Sequence, residues 1–545
     1  MLEMEATVAK NNIVGLNPNA SNYAGGDAYA MAPENALAQL AVTGCFNSTF
    51  YTTAESQAEQ VLDLVGKSDP EFVAKLAVYA HTTGYMKDMP AALLANLAVR
   101  NPELCVKVFP RVVSNGKMLR NFAQIIRSGK FGKRNASSHR LRKVIAQWFD
   151  SRTDDQIFFN SVGNNPTLGD VVKVARVRPT SRTRSALYAH LAGKDKGFFD
   201  GEDFVTAESL PALVAAYEAF RVSPVGEVPN APFEMLLGLK LSLDDWKAVA
   251  AKATWPQTFK NLNTFARHGV LADPEMVNLI AAKLHNKDLI EKAHVFPYQI
   301  MMTYKAVTDR SITFRGSKPN DDDFEQMPNK IIVALEEALE LATMNVPAFD
   351  GQNVVICVDV SGSMSTSPVT GSRKGSTTKV MSIDVGSLIG SSILRRNPRA
   401  RLIAFEGRVV PVKVHAGNSV MQNTKILASV GGGSTDCAKP LALLNAEAAK
   451  VDVVIFVSDY ESWTGNHGIT GATQMQGQWD LLKCRNPNAK LVCLDLAPHN
   501  TNQVVSRSDT FGIGGFSDQV FSMISDFVTG SGKNQWVDII NQVEL

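Results

Sequence analysis

Between residues 36 and 126, apolar side chains recur every three to four positions in short runs: Gln57 to Val65, Pro70 to Thr83, Ala91 to Val99, Pro102 to Val113 and Lys117 to Ile126. Gly, Asp-Pro or Asn-Pro breaks each run, so the pattern predicts short amphipathic helices stacked as hairpins. No strict period repeats, which predicts an irregular HEAT-like solenoid. The helical pattern resumes between 197 and 315, for example at Leu243 to Ala250 and Pro274 to Leu284, and again from Pro328 to Met344. Residues 1 to 33, with Asn17-Pro18 and Gly25-Gly26, read as an extended arm. After residue 350 the period changes. Apolar runs at 353–359, 401–405, 409–413, 452–458, 490–495 and 510–513 alternate with helices near 380–395, 438–449, 474–484 and 517–529. This alternation predicts a doubly wound α/β domain, a parallel sheet with one antiparallel edge. The expected division is a helical-repeat domain over 1–345 and an α/β domain over 346–545.

The first strand of that second domain runs Val354-Val-Ile-Cys-Val-Asp359 and turns at once into Val-Ser361-Gly-Ser363. A carboxylate and two hydroxyls on one loop at the C-terminal end of a strand form a hard-oxygen donor set, suited to Mg²⁺ or another divalent cation. Gly431-Gly-Gly-Ser-Thr435 supplies a loop that can turn a hydroxyl inward, and a second buried strand ends at Asp459. The order Asp359, Ser361, Ser363, Thr435, Asp459 resembles the metal-ion-dependent adhesion site of von Willebrand factor A domains. By that resemblance the open metal position receives a partner's carboxylate, so docking rather than catalysis is expected. No zinc-protease, serine-hydrolase or dinucleotide motif is present, and Gly530-Ser-Gly-Lys533 lacks the rest of a phosphate loop. An enzyme is therefore not expected.

Charge changes the picture of the helical part. The net charge is only +2, yet residues 100 to 196 hold 20 Lys and Arg against 6 Asp and Glu. Such a block self-repels unless it meets an anion, and a nucleic-acid backbone is the commonest one. The candidates for contact are Lys130, Lys133, Arg134, His139, Arg140, Arg142, Lys143, Lys173, Arg176, Arg178, Arg182 and Arg184. The helix from Ser138 to Phe149 would bury Leu141, Val144, Ile145, Trp148 and Phe149 and display Arg140, Arg142 and Lys143. A second helix would run from Asp170 to Pro179, and Thr180 to Arg184 would open a third. The six cysteines lack paired spacing and read as free thiols. With no apolar run long enough for a signal peptide or a membrane span, a soluble cytoplasmic monomer is expected.

Asp170-Val-Val-Lys173-Val-Ala-Arg176-Val-Arg178-Pro179, placed after a helical stack and before an A domain, resembles the TROVE module of Ro 60 kDa ribonucleoproteins and their bacterial and phage relatives. The resemblance covers nearly the whole chain. It implies a ring of helical repeats, a noncoding Y-like RNA on the basic outer surface, and single-stranded ends of misfolded RNA in the ring opening. Lys173, Arg176 and Arg178 match an RNA-contacting helix of that family; Arg176 stands where relatives such as the vertebrate protein have His. A role in RNA quality control or nuclease recruitment follows as an expectation. The rival is a metal-dependent protein-interaction scaffold, and a metal-dependent phosphodiesterase is weaker still because no general base is evident.

Overall fold

The computed structural model describes residues 18–22, 24–43, 54–130, 138–194, 205–293, 295, 297–308, 327–343, 346–370, 380–462, 473–497, 501–515, 518–529 and 536–545. Its strands are β1 (Ala20–Ser21), β2 (Asp27–Ala30), β3 (Val354–Asp359), β4 (Pro368–Thr370), β5 (Val380–Met381), β6 (Arg401–Phe405), β7 (Val409–Val410), β8 (Val453–Ser458), β9 (Lys490–Asp495), β10 (Thr501–Asn502) and β11 (Thr510–Gly514). The chain forms two compact units. One comprises Met1–Lys67 and Ala281–Ile539, the other Ser68–Ile280 and Ile540–Leu545. This grouping cuts the chain at different places from the 345/346 division drawn on the sequence.

The first unit is built on a six-stranded sheet in the order β11-β9-β8-β3-β6-β7. All pairs are parallel except β6 with the edge strand β7, as the alternation predicts. Every residue of β3 and β8 is buried, which requires cover on both faces. On one face Cys357, Phe456 and Cys493 share a core with Trp479 and Leu441, carried by the helices Gln474–Arg485 and Ala438–Ala446. On the other, Val358 meets the helix Ser382–Arg396, where a Cβ on Gly390 would come within 2.4 Å of the Val358 Cγ2. The helix Val420–Ala428 was not legible in the alternation.

The helices Pro297–Thr308 and Asn329–Ala342, helical-repeat material on the sequence, belong to this unit. Lys305 forms an ion pair with the buried Asp384, Lys425 donates to the Tyr304 hydroxyl at 3.0 Å, and the backbone N–H of Val420 donates to Glu340 at 2.7 Å. The expected arm is also more ordered than an extended tail from residue 18 onward. β1 and β2 form an antiparallel hairpin, and β10 adds to β2 with Asn502 opposite Tyr29.

The second unit is a stack of short helices, among them Pro70–Thr82, Asp88–Arg100, Pro102–Val112, Gly116–Ser128, His139–Asp150, Leu168–Ala175 and Arg182–Leu191. Polar caps fix their starts. Asp69 accepts from the N–H groups of Glu71 and Phe72, and Thr153 and Thr167 close capping boxes with Gln156 and Asp170. Helix Asp88–Arg100 is buried continuously from Met89 to Ala98, a central position its alanines allow. The chain's last residues return here: Lys75 donates to the Asn541 carbonyl at 3.2 Å, and Arg111 to that of Glu544.

Candidate functional site

Two candidate surfaces arise, one in each unit. In the first unit, the parallel pairing of β3 with β8 sets the C-terminal ends of both strands side by side and brings Asp359 and Asp459 together. Both carboxylates are fully buried. Asp359 accepts from the Ser361 N–H at 2.8 Å through Oδ1 and from the Ser458 hydroxyl at 2.6 Å through Oδ2. The Ser361 and Ser363 hydroxyls lie 3.2 Å apart. The glycine loop docks on this strand end through Gly432 N–H to the Val360 carbonyl and Gly362 N–H to the Gly433 carbonyl, each 2.8 Å. Gly431, at φ +85°, allows this contact, since a Cβ there would sit 2.1 Å from the Val360 oxygen. Thr435 is thereby held in a buried position at the same edge.

The five sequence-predicted residues thus converge on the C-terminal edge of the sheet. Burial, reinforced by the neighbouring charge of Asp459, raises the Asp359 pKa to about 7. Burial likewise lifts Asp459 above the ordinary carboxylate range, with the Ser363 hydroxyl and the Glu461 N–H opposing. Neither oxygen of Asp459 makes a hydrogen bond of ordinary geometry among the described residues. Two buried carboxylates, one of them with both oxygens unpartnered among the described residues, ringed by hydroxyls, fit a hard divalent cation, whose charge would offset the cost of ionising both. No group of three His, Cys, Asp or Glu residues suited to a metal occurs among the described residues. The residues gathered at this edge are two acids and three hydroxyl side chains.

Sequence reasoning missed three supports. Ser458 donates to Asp359, and Glu406 accepts from the Gly433 N–H at 2.8 Å. Ser462 receives the Cys437 N–H at 3.3 Å and reaches the Thr435 carbonyl at 3.4 Å. Ser458 precedes Asp459 on the strand and could have been found there; Glu406 carries no local signal. The polar rim at 371–379, with Arg373 and Lys374, lies outside the described residues.

In the second unit, the helix His139–Asp150 buries the five predicted apolar residues and exposes His139, Arg140 and Lys143. Arg140 pairs with Glu103 at 3.3 Å. Arg142 is half-buried, and its Nε has no partner among the described residues. Lys130 is exposed, whereas Lys133 and Arg134 lie outside the described residues. Lys173 donates to the Ala192 carbonyl at 2.8 Å and stands 3.9 Å from Asp170.

The helix read from Asp170 to Pro179 is corrected. It spans Leu168–Ala175 and stops at Arg176, which takes the left-handed conformation at φ 53°. A turn therefore carries Arg176 and Arg178 outward while Val177 is buried between them. Arg182 is exposed at the start of the helix Arg182–Leu191, capped by Ser181. Gly169 lets the two helices meet, because a Cβ there would lie 2.1 Å from the Leu191 carbonyl oxygen.

Arg184 is the second correction. It is buried, pairs with Asp154 at 2.5 Å and donates to the Phe149 and Arg152 carbonyls at 3.1 and 2.7 Å. Its spacing from Arg182 puts it on the inward face, so it organises the surface instead of belonging to it. Arg127 was missed. It is exposed, and its charge helps hold the Asp170 carboxyl low, behind the larger effect of hydrogen bonds from Thr167. It thereby joins the Lys130 end of the surface to the helix Leu168–Ala175.

Comparison with known proteins finds relatives along most of the chain. The family model of the Ro60 vWA domain matches residues 353–528. The RNA-binding protein RO60 of Deinococcus radiodurans is 23% identical over 475 residues, 84% of this chain and 86% of that protein. The RNA-binding protein RO60 of Caenorhabditis elegans is 25% identical over 280 residues, half of this chain and 39% of that protein. The crystal structure of the Deinococcus radiodurans Ro (Rsr) protein superposes with a TM-score of 0.62 at 17% identity, covering 92% of this chain and all of that one.

Proposed function

We propose that this chain, whose residues 353–528 match the family model of the Ro60 vWA domain, is a Ro60-type protein that binds RNA through the basic surface of its helical unit, without acting as an enzyme. The observation that carries this reading is the turn between the helices Leu168–Ala175 and Arg182–Leu191. There Arg176, Arg178 and Arg182 are all exposed beside a helix N-terminus whose backbone N–H groups favour phosphate. Lys130, His139, Arg140, Lys143 and Lys173 extend the surface. The finer reading is that a small noncoding Y-like RNA lies across it, and that single-stranded ends of misfolded RNA enter an opening in the helical repeats for quality control.

In the α/β unit, Asp359, Ser361, Ser363, Thr435 and Asp459 would hold Mg²⁺ or another divalent cation. When bound, the ion supplies an open coordination position for a carboxylate of a partner protein such as a nuclease. The chain's own residues fix the donor geometry: Ser458 orients Asp359, and Glu406 pins the glycine loop. No helix of the described residues is long and apolar enough to cross a membrane. The reading places the protein in the cytoplasm as a monomer.

Reversal of both arginines, Arg176→Glu with Arg178→Glu, tests the RNA surface. Binding of a structured RNA should weaken by roughly tenfold or more per lost phosphate contact at low salt, with the salt slope reduced by about two. Unchanged binding in a folded double variant would move the surface elsewhere. The unspent Asp459 oxygens favour a second reading, a metal-dependent docking scaffold whose basic block meets an acidic protein. Ribonuclease-sensitive absorbance near 260 nm in the purified protein supports RNA; its absence supports the scaffold.

A further inference from the structure

A cleft of about 230 Å³ opens at the free edge of β11, lined by none of the carboxylate or basic residues described above. Its walls include Asn35, Asn502, Ser506, Phe511, Gly512 and Trp536, and no lining residue is charged. In a parallel pair, the N–H and C=O of one residue face the same neighbour, and successive residues alternate. Asp509 accepts from Leu491 N–H at 2.9 Å and Gly515 donates to the Asp495 carbonyl at 2.5 Å, so residues of odd number face β9. Gly512 therefore turns its N–H and C=O outward into the cleft, where they have no partner among the described residues. A side chain at 512 would intrude, since a Cβ would stand 2.6 Å from the Asn502 Nδ2.

We infer that this cleft binds a nucleobase. The side-by-side donor and acceptor of Gly512 complement the amide or amidine edge that every nucleobase presents, and the Asn502 carboxamide adds a donor and an acceptor beside them. Phe511 and Trp536 supply apolar aromatic wall to a flat ring. The absence of charge in the lining suits a neutral heterocycle. Strand addition by a peptide is disfavoured, because it needs a run of exposed edge residues. Here the outward-facing neighbours Thr510 and Gly514 are both buried. The base could belong to a free nucleoside or to an unstacked position of single-stranded RNA.

The test is saturation-transfer NMR on the full chain with adenosine, guanosine, cytidine and uridine in turn, repeated with Asn502→Leu and Gly512→Val. At least one nucleoside should give saturable transfer, weakened about tenfold by each variant, the scale of one or two lost hydrogen bonds. Binding of structured RNA should be unchanged in both variants. A single-stranded hexanucleotide that displaces the nucleoside at lower concentration identifies an RNA base as the ligand; failure to displace identifies the free nucleoside. Absence of saturable transfer from all four at millimolar concentration overturns the inference. So does transfer that persists undiminished in Asn502→Leu, the variant less able to disturb the strand, or binding of an extended peptide without any nucleoside.

Discussion

Arg182 and Arg184 show how far single residues can be read from a sequence. Both stand in one basic run, yet Arg182 is exposed, whereas Arg184 is buried and satisfies Asp154 and two carbonyls. Composition reports charge without direction, and only the helix phase, set by the Ser181 cap, separates the two roles. Arg184→Ala should therefore destabilise the protein by about 2–4 kcal/mol, because it takes the donor from the Asp154 carboxylate and the part-buried Arg152 carbonyl and one of the donors from the Phe149 carbonyl. Arg182→Ala should cost RNA affinity with little effect on thermal midpoint; calorimetric melting of both variants checks this. The placement of Asp359, Ser361 and Ser363 at one strand end was more legible, since Asp-x-Ser-x-Ser after a buried strand fixes direction as well as identity.

The same residue scale carries a pH dependence. Asp359 and Asp459 bind protons more tightly in the folded chain than their ordinary value of 3.8. The folded state thus holds more protons than the unfolded state between about pH 4 and 7, and metal-free stability falls as pH rises through that window. A bound cation removes this cost. The rise in thermal midpoint on adding Mg²⁺ should be larger at pH 8 than at pH 5, and Asp459→Asn should abolish it while raising metal-free stability at pH 8. An equal rise at both pH values in the unsubstituted protein would contradict the site.

At the scale of elements, strands of the α/β unit were legible because burial on both faces writes continuous apolar runs, as in β3 and β8. β1, β2 and β10 were not, since strands of two to four residues carry no period to detect. The helix end at Ala175 was misplaced because Pro179 is the stronger stop signal, whereas the actual terminator is Arg176 in a conformation usually given to glycine. That turn depends on the close approach at Gly169. Gly169→Ala should push the helices Leu168–Ala175 and Arg182–Leu191 apart, lower stability by roughly 1–3 kcal/mol and weaken RNA binding although no charge is lost. Wild-type RNA affinity in this variant would show that the turn's geometry is immaterial.

At the scale of the whole chain, the order of a helical stack and then an A domain was legible, and the Deinococcus radiodurans Ro (Rsr) structure shares the fold along 92% of the chain. The compact units were not, because their boundaries depend on contacts between distant segments. Lys305 with Asp384 and Val420 with Glu340 draw the helices Pro297–Thr308 and Asn329–Ala342 to the α/β unit. Lys75 with Asn541 draws the last residues to the helical stack. The central claim is RNA binding by the basic helical unit, and the most direct measurement is titration of the full chain with a structured RNA, with and without a single-stranded 3′ tail, across a salt series. The expected result is binding whose logarithm falls steeply and linearly with the logarithm of salt concentration, with tighter binding when the tail is present. Failure of both RNAs to bind at low salt would contradict it.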